Sequence, residues 1–461
     1  MDENVIFKNP QNKPPVSSMP SQVPSDKSIA KKILKLILGI LVVGILGAFA
    51  AVFFIPKQED EPTSAEATLV YWGLWEDPNV MQPIISDFTK QNPNIKVSLA
   101  KQEIEQYKER ILARAENETG PDVFWFHNTW WDMLSGVLAP LPSDVITKSD
   151  FEKLYYKVMH KDLIKNGAIY GIPLEIDTLS LYINTDLFNA AGLSVPTNWI
   201  DFANISRELT VKDIDGNIKT AGAAVGTFDN VSHAGDLISL FFVQNGSNLY
   251  DLSESKKASD ALRFYTSFAL DDKVWDDTLD KSVVAFAKGD VGMYFGYFQD
   301  YFIIKAANPD INFEVHPVPH LPDRDITIAS YWAQGVSVKS KYQKEALLFL
   351  NFLAQKETQQ RLFAEVSKSR GFGEPYARTD MADLLKDNPN VYPFVSQAEN
   401  AVSSFFASDT ADKGLNDRTN DYLRSAVNAV LSGASEDTAI DTLSQEVQKV
   451  LQEYSAVQAS P

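Results

Sequence analysis

Residues 170–188 read YGIPLEIDTLSLYINTDLF, and the organisation of the chain turns on that stretch. Two apolar runs, 171–176 and 179–183, are each short enough for a strand, and Glu175 and Asp177 interrupt what would otherwise be buried sheet. A carboxylate inside a sheet is costly unless paired or solvated, so the break predicts a cleft or a crossing between two α/β lobes. Asn184-Thr185-Asp186 follows as a helix start. Periodicity alone also allows a plain strand–turn–strand within one domain.

Upstream, 68–72 reads as a strand, and in the helix after it Met81, Ile84, Ile85 and Phe88 recur on one face. Asn92-Pro93-Asn94 ends that helix, and Ile95, Val97 and Leu99 alternate as the next strand. A helix over 103–116 leads to Gly120-Pro121-Asp122 and a strand over 123–126. This β-α-β-α-β order predicts a mostly parallel sheet with helices on its faces. Ligands of such sheets sit beyond the carboxyl ends of the strands, which places 72–76 and 125–131 at one rim. Downstream, DIDGN at 213–217 predicts a hairpin turn rather than a calcium loop, because further ligands at the required spacing are lacking. Near the end, Leu423, Ala426, Val427, Val430 and Leu431 form one apolar helix face with Gly433 as its stop, and a last helix follows over 436–454.

The string GIPLEIDTLSLYINTDLFNAAGL resembles the first hinge crossing of family 1 extracellular solute-binding proteins, the maltose-binding-protein-like group. Other segments are similar to further parts of that family's pattern. Val195-Pro196-Thr197-Asn198-Trp199 matches its helix start with one extra residue before the tryptophan. SVVAFAKGDVGMYFGYF at 282–298 matches a helix-then-strand segment, although Tyr297 and Phe298 stand where many relatives carry tryptophan. SYWAQGVSV at 330–338 resembles the glycine-containing ligand loop before a helix over 340–353, and SRGFGEPY at 369–376 resembles the third crossing. The resemblance covers about residues 67–461. It implies an α/β, two-lobed periplasmic-binding-protein-like fold of type II with a hinge. Lobe 1 would span about 68–176 and 313–374, lobe 2 about 177–312 and 375–461, with 313–319 as the return crossing.

Composition narrows the function. A chain of 461 residues has room for two or three domains, and 44% hydrophobic with 11% aromatic residues supplies ample core. A net charge of −19 argues against a nucleic-acid partner, since phosphate binding needs clustered Lys and Arg. The absence of cysteine excludes disulfides, thiolate metal sites, a cysteine nucleophile and lipid attachment through an N-terminal cysteine. Five histidines without HExxH spacing point away from catalytic zinc. There is no GxSxG, P-loop or GxGxxG motif.

Residues 1–32, rich in Pro, Ser, Gln and Lys, read as a disordered tail. Lys31, Lys32 and Lys35 precede an uncharged run from 36 to 55, so a membrane span is expected over 33–55 and a linker over 56–67. Glu59, Asp60 and Glu61 follow the run, and the lysine asymmetry puts the tail in the cytoplasm and the large domain outside. The competing reading is a signal peptide that is removed.

The richest short segment is DVFWFHNTWWD at 122–132, where five of eleven positions are aromatic beside His, Asn, Thr and Asp. Rings at a cleft mouth stack on the C–H faces of sugars, while amides and carboxylates bond the hydroxyls. Phe124 and Phe126 read as core; Trp125, Trp130 and Trp131 read equally as core or as ligand platform, with Asn128 as a hydroxyl partner. The resemblance adds Trp75 and Glu76 after the first strand, Tyr297 and Phe298, and Trp332, Gln334 and Gly335. Asp177 is a hydroxyl acceptor or a hinge brace, and Arg370 reads as bracing the third crossing. What the resemblance implies is a membrane-tethered substrate-binding component of an ABC importer. It would capture a sugar or oligosaccharide, with a permease pair and an ATPase as partners and no cofactor. A surface sensor of the same fold is the alternative of a different class. A glycosidase using Glu76 and Asp177 is a third.

Overall fold

A computed structural model describes residues 66–458 apart from 118, 254 and 255, and residues 66–458 belong to one compact unit. The tail, span and most of the linker expected over 1–67 lie outside the described residues. Among the described residues no helix is long and apolar enough to cross a membrane.

Two five-stranded sheets form the cores of two lobes. In the first, the strands run in the order Ile95–Lys101, Ala67–Gly73, Val123–His127, Trp332–Val336, Ile172–Pro173. The first three are parallel, as the β-α-β-α-β reading predicts, and Trp332–Val336 enters antiparallel to both of its neighbours. The helix Pro78–Gln91 buries Met81, Ile84, Ile85 and Phe88, the face its spacing predicts. Asp77 caps its start by accepting from the Asn79 N–H at 2.7 Å. The next helix is shorter than expected, Tyr107–Glu116, because residue 106 adopts left-handed backbone and ends the preceding loop.

In the second lobe the order is Phe313–His316, Ser180–Asn184, Val291–Gly296, Ile218–Ala223, Val211–Lys212. The return crossing therefore begins after His316 rather than at 313. Phe313–His316 is the edge strand of this sheet, held by pairing with Ser180–Asn184 and by the Phe313 ring packed 5.7 Å from Tyr182 and 5.1 Å from Tyr301. Residues 330–338 are likewise not a loop in the main. Trp332–Val336 is a wholly buried strand, since it lies between two others in a sheet covered on both faces. Asp213 closes the expected hairpin, its side chain accepting from the N–H groups of Asp215 and Asn217. The helices Leu415–Leu431 and Glu436–Gln458 pack on each other and on Lys256–Leu270 in this lobe, and the turn between them uses Gly433 at φ +98°.

The lobes are joined by three extended passages that lie side by side. Thr178 bridges Ala329, and the Leu179 N–H donates to the Ile328 carbonyl at 2.8 Å, so the outgoing and returning passages pair antiparallel. Glu175 bridges Tyr376 and the Ile176 N–H donates to the Pro375 carbonyl at 2.9 Å, which adds the third. The Gln397 amide donates to Thr178, Leu179 and Ser180 from beside them.

Candidate functional site

A cavity of about 520 Å³ opens where the passages meet. Trp75, His127, Ser330 and Trp332 reach it from the first lobe, and His233, Tyr297, Gln299, Asp300, Ile303 and the loop Ser408–Thr410 from the second. Glu175, Asp177 and Glu374 come from the passages themselves.

The first-lobe wall is aromatic. Trp75 follows the end of its strand, where Lys101 Nζ donates to its carbonyl at 3.0 Å, and its side chain remains 41% exposed. Its ring meets the edge of Trp332 at 5.6 Å. Trp332 is held in turn by edge contacts with His127 at 5.2 Å and Trp130 at 5.1 Å. His127 Nε2 lies 2.9 Å from Ser330 Oγ and Nδ1 lies 2.7 Å from Thr129 Oγ1. Burial pushes its imidazole down to about 3, so this wall is uncharged at neutral pH.

The opposite wall is ionic. Asp300, in the first turn of the helix Phe298–Ala307, accepts from the Tyr297 N–H and the Tyr294 hydroxyl, each at 2.9 Å, and faces His233 Nε2 at 2.9 Å. Asp409 lies 3.4 Å from His233 Nδ1. Burial disfavours the imidazolium, but Asp300, Asp409 and Asp236 outweigh it and raise His233 to about 10. The Tyr297 hydroxyl donates to Asp236 at 3.0 Å, which turns that ring against His233.

At the floor, the Arg370 guanidinium binds Glu374 and, at 3.2 Å, Glu76, and lies 4.9 Å from the centre of the Phe302 ring of the second lobe. Gln299 donates to Glu374 at 3.0 Å. Burial raises Glu374 to about 7 against the pull of Arg370, and burial with the charges of Glu374, Glu76 and Asp177 lifts Glu175 well above the carboxylate range. Burial also raises Asp177, while the Phe298 N–H, which both its oxygens accept, draws it partly back.

A cleft between two lobes with one aromatic and one polar wall has the chemistry to hold a small polar molecule. Residues 73–360 match the family described as bacterial extracellular solute-binding protein. The chain belongs to this family. The multiple sugar-binding protein of Streptococcus mutans is 23% identical over 342 residues, covering 70% of this chain and 80% of that protein. Among solved structures, the sugar-binding protein MalE from Xanthomonas citri aligns with a TM-score of 0.70 at 19% identity, covering 86% of this chain and all (100%) of that one. An ABC transporter solute-binding protein from Thermotoga lettingae, bound with α-D-tagatose, aligns with a TM-score of 0.64 at 20% identity over 84% of this chain and 100% of that one. These likenesses establish the two-lobed fold.

In this solute-binding protein four of the residues expected at the site line the cavity together: Trp75, Asp177, Tyr297 and Trp332. Glu76 stands next to it, committed to Arg370 and lining a smaller recess with Trp125. The others are drawn into the core or, in the case of the half-buried Trp131, packed against it. Trp125 is 5% exposed and donates its indole N–H to the Tyr71 hydroxyl at 2.6 Å. The Tyr71 hydroxyl donates onward to Gln334 at 2.8 Å. Asn128 is spent on Asp162, Ser403 and the Tyr331 N–H. Trp130 is 1% exposed beneath Trp332, and Trp131 packs 4.3 Å from Tyr170. Phe298 contributes its backbone N–H while its ring is buried among Phe302, Phe372 and Phe394. Gly335 is needed for packing, since a Cβ there would meet Leu138 at 2.4 Å.

His127, His233, Gln299, Asp300, Ser330, Glu374 and Ser408–Thr410 line the cavity without being among the site residues expected from the sequence. Glu175 was marked as an acid breaking an apolar run, and that signal extends to the cavity. Gln299 and Asp300 directly follow Tyr297 and Phe298. His233 and Ser408–Thr410 arrive from distant positions with no local pattern.

Proposed function

We propose that this chain is the membrane-tethered, extracellular substrate-binding component of an ABC importer, and that it captures a sugar or oligosaccharide between its lobes. The observation that carries the reading is the half-exposed Trp75 ring beside Trp332, facing carboxylates and a tyrosine across one cleft. Such a pair of walls offers stacking to the C–H face of a pyranose and acceptors to its hydroxyls. The names of the relatives, a multiple sugar-binding protein and a sugar-binding protein MalE, favour the same ligand class. Asp177, Tyr297, Trp75 and Trp332 are the ligand residues of this proposal.

Closure about the three passages is driven by the ligand's greater affinity for the closed form. The permease pair and its ATPase then read the closed shape. The apolar run within 33–55, with lysines before it and acids after it, is the proposed anchor. The carboxylates are read as binding and bracing groups, not as a hydrolytic pair, because Glu76 is held by Arg370 and Asp177 by a helix terminus.

A thermal-shift screen of the full chain against sugars, polyols and peptides tests this. Binding to the native state alone raises the melting temperature. The expected result is a shift with one sugar class, lost in Trp75→Ala or Trp332→Ala, with no product formed. A shift confined to peptides, or sugar turnover, would overturn it.

A further inference from the structure

Five carboxylates line the cleft, Glu175, Asp177, Asp300, Glu374 and Asp409, while the cations beside them are His233 in the lining and Arg370 at the floor, the latter bound to Glu374 and Glu76. Four of the five have partners. Asp177 holds the Phe298 N–H, Asp300 and Asp409 face His233, and Glu374 holds Arg370 and Gln299. Among the described residues no hydrogen bond or ion pair reaches the Glu175 carboxylate, although the charges of Glu374, Glu76, Asp177 and Arg370 all act on it. A second group waits in the same cavity: Thr410 is 1% exposed and its hydroxyl has no hydrogen-bond partner.

We propose that the cleft takes a sugar bearing a protonated amine, with the ammonium group seated on Glu175. This rests on the carbohydrate reading above. A neutral hydroxyl leaves the excess of carboxylates over His233 and Arg370 unchanged, whereas an ammonium brings one positive charge and three donors to a carboxylate that has no donor of its own. Trp75 and Trp332 suit the same ligand, since their faces attract cations as well as C–H groups. The net charge of −19 draws cations to the protein before they reach the cleft. Burial and the charges of Glu374, Glu76 and Asp177 favour the protonated form of Glu175, Arg370 opposes them, and an ammonium seated there favours the carboxylate, so binding releases protons.

Calorimetry on the full chain tests this with glucosamine, N-acetylglucosamine, glucose, their 1,4-linked dimers and spermidine. Glucosamine or its dimer is expected to bind about tenfold or more tighter than its acetylated and neutral counterparts, the size of one charge-assisted hydrogen bond. Glu175→Gln is expected to narrow that difference to about twofold. Titrations in two buffers of different ionisation enthalpy are expected to show proton release with glucosamine and none with glucose, a readout that needs no variant. Equal or tighter binding of the neutral or acetylated sugars overturns the inference and leaves the carbohydrate reading standing. Binding of none of these compounds overturns the inference, and binding of spermidine alone overturns both.

Discussion

Both carboxylate oxygens of Asp177 accept the backbone N–H of Phe298, at 3.1 and 2.9 Å, so the outgoing passage is tied to the first residue of the helix Phe298–Ala307. An acceptor at that point satisfies a helix donor that has no partner within the helix, and a negative charge there is favoured by the helix dipole. Asp177→Ala leaves the Phe298 N–H without its partner in a buried setting. We expect a loss of about 1–3 kcal/mol in urea unfolding. An unchanged midpoint would mean that the contact carries no energy.

The tryptophans should divide into two groups. Trp75→Ala removes a ring that is 41% exposed, so ligand response should fall while stability changes little. Trp125→Ala empties a core position and frees the Tyr71 hydroxyl, at a cost of about 3–5 kcal/mol. Paired measurements of unfolding and ligand binding check this; a stable Trp125→Ala that had lost only binding would return that residue to the site.

The two cavity histidines should titrate in opposite directions. His233 has its pKa raised from 6.5 to about 10, and His127 has its pKa lowered from 6.5 to about 3. Nitrogen-15 NMR of the rings should show His233 charged at about pH 8 and His127 neutral at about pH 5. The stability that His233 contributes is fully present below 6.5 and is lost as the pH rises through about 10. Relative to His233→Gln, the native chain should therefore lose its advantage across that alkaline window.

Glu374 gives an acidic counterpart. Its pKa rises from 4.5 to about 7 in the folded chain, because burial outweighs Arg370. Its contribution to stability is present below 4.5 and is lost as the pH rises through about 7. The difference in unfolding free energy between the native chain and Glu374→Gln should fall across that interval and level off above it. A rise across the same interval would show that Arg370 dominates.

The helix Pro78–Gln91 was legible because one of its faces meets the core and the other meets water, which leaves the spacing of Met81, Ile84, Ile85 and Phe88 in the sequence. The crossing was legible for a related reason: Glu175 and Asp177 break apolar runs, and acids do so where a cleft relieves them. Val123–His127 erased its own signal. With neighbours on both sides and cover on both faces, all five residues are buried, and alternation cannot separate Trp125 from Phe124. The edge strand Phe313–His316 reads as a crossing in the sequence because a short segment beside a passage looks much like the passage itself. His233 and Ser408–Thr410 meet the site only in three dimensions, and no local pattern marks them, whereas Glu374 lies within the crossing string 369–376.

The placement of Trp332–Val336 between Val123–His127 and Ile172–Pro173 bears on how the chain comes to be folded. Until that late strand has been synthesised, VFWFH ends the parallel part of the first sheet as an open edge with a row of unpaired amides and large rings. Such an edge recruits other strands, including those of neighbouring copies. A truncation just before residue 332 should thus produce aggregates rather than a stable half-protein, and a holding chaperone would matter most during this interval of synthesis.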